Sequence, residues 1–228
     1  MLCGATAWHS KINFKLRRKI RVNSDFKICV NANLLVTSLT TINRYNKNDL
    51  SNIVQLTSDL GVHNVSFNCA IPSVNRKKID ASFTLSPQEV AKKIENIYCL
   101  SKSQGIKTHF NLTIPICLIE ENILEQMIDD NVVAVGCQMY HGKGVAFDPV
   151  GNILPCTHFA DFPIISLQNQ IDLQKDFTSI WQKDDEVCQF REELWRYPSP
   201  KCHECKYWGG CVGGCPLLWS FYDPLKII

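Results

Sequence analysis

Cys202-His203-Glu204-Cys205-Lys206-Tyr207-Trp208-Gly209-Gly210-Cys211-Val212-Gly213-Gly214-Cys215-Pro216 is the most informative run in the chain. A Cys-x2-Cys turn aims two thiolates at one metal or cluster, because the intervening residues close a tight loop. Four glycines between Trp208 and Cys215 let the backbone wrap closely and turn N–H groups toward sulfur. Such wrapping suits a bulky iron–sulfur core better than a single tetrahedral ion. Zinc stays open, since Cys202, Cys205, Cys211 and Cys215 would make a four-thiolate site, with His203 or His158 as substitutes.

Outward from this run, the chain holds 12 cysteines in 228 residues, a density below that of a small disulfide scaffold. The opening Met1-Leu2-Cys3-Gly4 does not read as a secretory leader. The expected setting is therefore cytoplasmic and reducing, where cysteines serve metals rather than disulfides. Cys3, Cys29, Cys69, Cys99 and Cys117 are scattered singly and read as small buried hydrophobes. Cys137, Cys156 and Cys188 join the four of the terminal run to form a dense C-terminal group. Of these, Cys188 sits in a helical run with Val187 and Phe190 and reads as packing.

Composition excludes several functions. A net charge of +2 argues against a nucleic-acid footprint. The one basic cluster, Lys15-Leu16-Arg17-Arg18-Lys19 with Arg21, reads as a solvated helix face. No run of about 18 apolar residues exists, so no membrane-spanning helix is expected. Phosphate-cradling glycine loops, nucleophile elbows and His-Glu-x-x-His are missing as well.

The first 130 or so residues alternate strand and helix. Lys27 to Thr37 reads as a strand, and Asn48 to Leu60 as a helix stopped by Gly61. His63 to Ile71 is a second strand, ended by Pro72. Ser86-Pro87-Gln88-Glu89 is a capping box that opens a helix running to Gly105. Lys107 to Ile114 is a third strand and Glu121 to Asp129 a short helix. Such alternation implies right-handed crossovers and a parallel sheet. Three strands leave an open edge, so the unit reads as part of something larger. Phe14–Ile20 would be the helix of a preceding βα unit. Asn31 and Asn33 on one strand, with Asn68 and Asn111 on the next two, must find partners in each other or in a ligand. Beyond Val133, Val145 to Leu154 reads as a β-hairpin, followed by a helix through Phe190, Leu194 and Trp195.

Cys137, then Gly151-x4-Cys156, then Cys-x2-Cys-x5-Cys-x3-Cys from Cys202 to Cys215, resembles the SPASM domain of radical S-adenosylmethionine (SAM) enzymes. Ile180-Trp181 and Phe190-Arg191 resemble that domain's linker. The preceding βα units are similar to the second half of the radical SAM partial barrel. The resemblance implies an α/β fold in two parts, with residues 1–132 a half-barrel and residues 133–228 an auxiliary-cluster domain. It also implies two auxiliary [4Fe-4S] clusters, one held by Cys137, Cys156 and Cys215, the other by Cys202, Cys205 and Cys211. Enzymes of this family commonly modify peptides or protein side chains through a 5′-deoxyadenosyl radical.

Two features depart from the family. The Cys-x3-Cys-x2-Cys that holds the SAM-cleaving cluster is absent, and no cysteine follows Cys215. Each auxiliary cluster therefore has three matched ligands. The chain alone is not expected to cleave SAM. Its expected work is cluster binding, electron relay or peptide docking, beside a chain that supplies the missing half-barrel. The alternatives are a zinc-stabilised interaction module and a truncated fragment without independent function.

Overall fold

Lys27 to Thr37, expected as one strand, begins as helix and becomes strand only at Thr37. In the computed structural model residues 24–31 are helical (α1), and the first strand, β1, spans only Thr37–Ile42. The structure describes residues 24–75, 78–166, 177–196 and 198–228. The basic cluster, the Phe14–Ile20 helix expectation and Cys3 lie outside those residues. The short apolar run Ile28-Cys29-Val30 fits either period, and packing decides it. Cys29 and Val30 pack on a small core of Phe26, Val36, Leu60 and Val62. Asn33 then adopts φ 54°, its N–H donates to Val30 O (2.9 Å), and Leu34 N–H donates to Cys29 O (3.0 Å). That pair of bonds is a Schellman stop, with asparagine in the left-handed position usually given to glycine. Asn31 and Asn33 therefore do not share a strand face.

The later helices end the same way. α2 (Leu50–Asp59) stops at Gly61, where Val62 N–H donates to Thr57 O. Helix α3 (Pro87–Ser103) begins with the expected capping box, Ser86 Oγ accepting from Glu89 N–H. It closes at Gly105, with Ile106 N–H donating to Ser101 O. α4 (Glu121–Asp129) closes at Asn131, φ 53°, with Val132 N–H donating to Met127 O. Each stop delivers an apolar residue and then a strand: β2 (Asn64–Cys69), β5 (Thr108–Asn111) and β6 (Val133–Ala134).

These strands and β1 form one sheet in the order β1-β2-β5-β6, and every pair is parallel. The fourth, two-residue strand extends the expected three. Val65, Phe67 and Cys69 of β2 and Phe110 of β5 are buried on one face, where the Phe67 and Phe110 rings stack at 5.7 Å. The opposite face carries Ser66, Asn68 and Asn111, and there the asparagines satisfy each other: Asn111 Nδ2 donates to Asn68 Oδ1 at 2.7 Å.

The chain divides into two compact units. Among the described residues, the first comprises those up to Ala70 together with Phe83–Ala134. The second comprises Val135–Ile228 and also Ile71–Ser82, which holds an antiparallel hairpin of β3 (Ser73–Asn75) and β4 (Lys78–Asp80). That hairpin was not expected. The second hairpin, β7 (Ala146–Phe147) and β8 (Ile153–Leu154), falls where the sequence indicates. α5 (Phe177–Lys183) and α6 (Asp185–Trp195) follow. Met139, Ile153, Ile165, Trp181 and Val187 form this unit's core. Among the described residues no helix is long and apolar enough to cross a membrane.

Candidate metal centre

Three short helices carry the terminal cysteines. α7 (Pro200–His203) holds Cys202 and is capped by Ser199, whose hydroxyl accepts from Lys201 N–H. Cys205 N–H donates to Cys202 O (3.1 Å) and Trp208 N–H to Cys205 O (3.0 Å), which tightens the Cys-x2-Cys turn. Tyr207 N–H donates to Cys205 Sγ at 3.5 Å, a backbone donor aimed at sulfur from a tyrosine rather than from one of the glycines. α8 (Trp208–Cys211) ends in Val212 at φ 46°, and Gly213 (φ 70°) and Gly214 (φ 82°) continue the left-handed path to Cys215. Val212 is fully buried. A β-branched residue held in that region is strained, a state that packing must enforce. Cys215 then opens α9 (Pro216–Trp219).

Cys137 follows Gly136, which is also left-handed at φ 99°. Cys156 leaves the β7–β8 hairpin and precedes a 3-10 turn at Thr157–Phe159. Distant in sequence, these two thiols belong electrostatically with Cys215. Burial pushes the Cys215 thiol up to about 12, and the charges of Cys137 and Cys156 push it the same way. The Cys156 thiol is raised by burial and then by Cys137. A separate set forms at the terminal run, where burial, Cys211 and Cys205 raise Cys202. Cys137 and Cys156 thus act on Cys215, and Cys211 and Cys205 act on Cys202.

Tyr140 senses both sets. Its phenol is raised well above the usual range, first by burial and then by Cys137, Cys215, Cys202 and Cys211. The hydroxyl donates to Leu194 O at 2.8 Å. The Tyr140 ring meets Trp195 edge-on at 5.4 Å, Trp195 meets Trp208 at 5.6 Å, and Trp208 lies 4.8 Å from His203. Sequence reasoning overlooked Tyr140, although its place three residues after Cys137 was a usable signal. His158 Nδ1 lies 3.9 Å from Cys156 Sγ. Burial lowers its pKa, favouring the neutral ring that ligates metals.

Of the other cysteines, Cys99 and Cys117, expected to be buried, are exposed, because they fall on the solvent side of their helices. Cys188 Sγ donates to Gln182 O at 3.3 Å. Cys69 Sγ donates to Asn111 O at 3.8 Å, and burial raises its thiol to about 11, the mark of an inert structural cysteine. His109 is half-buried on β5.

The donor set suits an iron–sulfur cluster. Among the described residues, no three His, Cys, Asp or Glu side chains converge as a metal site. Crowded, desolvated thiols that raise one another's pKa are the groups a cationic core would deprotonate on binding.

No family model matches the sequence, and no curated protein matches it. Solved structures do. Streptococcus suis SuiB is similar with a TM-score of 0.57 at 16% identity, over 90% of this chain and 47% of that one. SuiB bound to S-adenosylmethionine gives 0.57 at 15% identity, over 90% and 46%. Native anSMEcpe with bound AdoMet and a Cp18Cys peptide gives 0.52 at 13% identity, over 86% and 52%. In fold, the chain is thus similar to the C-terminal part of radical SAM/SPASM proteins, as the cysteine pattern led us to expect. It spans about half the length of the structures it matches.

Proposed function

We propose that this chain is an iron–sulfur protein holding auxiliary [4Fe-4S] clusters and handling a peptide or protein substrate. Cys137, Cys156 and Cys215 would hold one cluster, and Cys202, Cys205 and Cys211 the other. The observation that carries this reading is the spacing Cys137, Gly151-x4-Cys156 and Cys-x2-Cys-x5-Cys-x3-Cys from Cys202 to Cys215, on a fold similar to those of SuiB and anSMEcpe. A bound cluster supplies one-electron chemistry over a wide range of potentials. The chain's own residues would wrap it and aim Tyr207 N–H at the Cys205 sulfur, while Tyr140, Trp195 and Trp208 pack in a row. A peptide partner is supported by the likeness to anSMEcpe, whose structures hold bound peptides.

In this reading the chain does not cleave SAM alone, because it has no Cys-x3-Cys-x2-Cys. A second chain supplying that motif would complete the enzyme in a reducing, cytoplasmic setting. Anaerobic reconstitution followed by iron and sulfide counting and EPR of the reduced protein tests the proposal. Brown protein with matched iron and sulfide supports it. Colourless protein carrying stoichiometric zinc overturns it in favour of an interaction module.

A further inference from the structure

The second unit carries a groove of about 580 Å³ to which four stretches of chain contribute, one of them through Leu217 and Ser220. Val74 and Ile79 come from the β3–β4 hairpin, Phe159, Phe162 and Ile164 from the segment after β8. Helix α6 adds Glu186, Gln189, Phe190 and Glu193, a spacing that sets all four on one helical face. The groove is apolar and open: Ile79 is 44% and Phe162 45% exposed. Its rim is acidic. Glu186 and Glu193 are both exposed, and among the described residues neither has a cationic partner.

From this charge and shape we infer that the groove docks an extended peptide segment bearing an apolar side chain between two lysines or arginines. Glu186 and Glu193 are two helical turns apart, about 10 Å along the axis. An extended chain rises about 3.3 Å per residue and turns alternate side chains to the same face. Cations four residues apart with an apolar residue midway, Lys-x-Φ-x-Lys, therefore present all three side chains together. The long lysine arms absorb the few ångströms by which this span exceeds the glutamate spacing. An acidic rim repels nucleic acid and anionic membrane, so neither fits the groove.

The test uses the full chain and two dye-labelled peptides, Gly-Lys-Ser-Phe-Ser-Lys-Gly and its charge-reversed partner Gly-Glu-Ser-Phe-Ser-Glu-Gly. Fluorescence anisotropy should give at least tenfold tighter binding of the lysine peptide, weakening as salt rises. Glu186→Gln with Glu193→Gln should abolish the preference, and Glu186→Lys with Glu193→Lys should reverse it, an outcome that misfolding cannot produce. Phe162→Ala should weaken both peptides while leaving circular dichroism unchanged. Equal binding of the two peptides, indifference to the glutamate variants, or a dimer on light scattering that Ile79→Glu dissolves would overturn the inference. The inference rests on the proposed function only in taking a peptide as ligand. Colourless protein that binds the lysine peptide sinks the cluster reading alone, and brown protein that ignores it sinks the groove alone.

Discussion

Gly136 lies so close to Gly210 that a Cβ on Gly136 would stand 2.9 Å from the Gly210 carbonyl oxygen. One glycine precedes Cys137 and the other precedes Cys211, so this approach joins the entry to one thiol set with the loop of the other. Gly136 also sits at φ +99°, where an L side chain is strained whatever the space. Gly136→Ala should therefore lower the urea midpoint more than Gly105→Ala, which meets nothing within 4 Å at φ +66°. The Gly105 change should cost about 1–2 kcal/mol, the left-handed penalty alone. Equal losses would show that the Gly136–Gly210 approach is slack.

The α3 capping box gives a second expectation. Ser86 Oγ accepts from Glu89 N–H at 3.2 Å, and Ser86 N–H donates back to Glu89 Oε2 at 3.1 Å. Ser86→Ala should cost about 1 kcal/mol in urea unfolding, and Ser86→Asp much less.

The same box sets a pH dependence. The Ser86 backbone N–H, followed by Lys47, holds the Glu89 carboxyl below its ordinary range. The folded-state pKa thus lies below the unfolded one, so the unfolded chain takes up the proton first as pH falls. The stabilisation is present above the ordinary carboxylate range and fades as pH drops through and below it. Urea midpoints between pH 6 and pH 3 should fall less steeply in Glu89→Gln than in the parent protein, though screening at this half-exposed site keeps the difference small.

Cys69 and Cys215 should part company on reconstitution. Cys69, bonded to the Asn111 carbonyl, is a packing residue, so Cys69→Ser should keep its full iron while losing stability. Cys215→Ser should lose roughly four irons, one cluster's worth, and the matching EPR signal. Iron retained in full by Cys215→Ser would remove that residue from the ligand set.

Much of this architecture is readable from local chemistry. Gly61, Gly105 and the Ser86-Pro87-Gln88-Glu89 box mark helix ends that the structure keeps within two residues. The error at Lys27–Thr37 has a physical cause. Asn33 does the work of glycine in the left-handed stop, while the true strand, Thr37-Ser38-Leu39-Thr40-Thr41-Ile42, is too polar to announce itself. The β3–β4 hairpin and the two-residue β6 are too short for any period to register. Cysteine spacing, through the family resemblance, picked out the six thiols and their grouping, whereas the hydrogen bond from Tyr140 to Leu194 O depends on tertiary structure.

The excursion of Ile71–Ser82 into the second unit makes the two units inseparable by a single cut. A fragment beginning at Val135 would lack the stretch carrying Val74 and Ile79, and one ending at Ala134 would keep that stretch without its packing partners. During synthesis the hairpin emerges well before the residues it packs with, so the groove cannot close until the chain has been made through Ser220. Any expression design that treats the C-terminal half as a portable module should therefore graft residues 71–82 onto it, or expect a groove with one side missing.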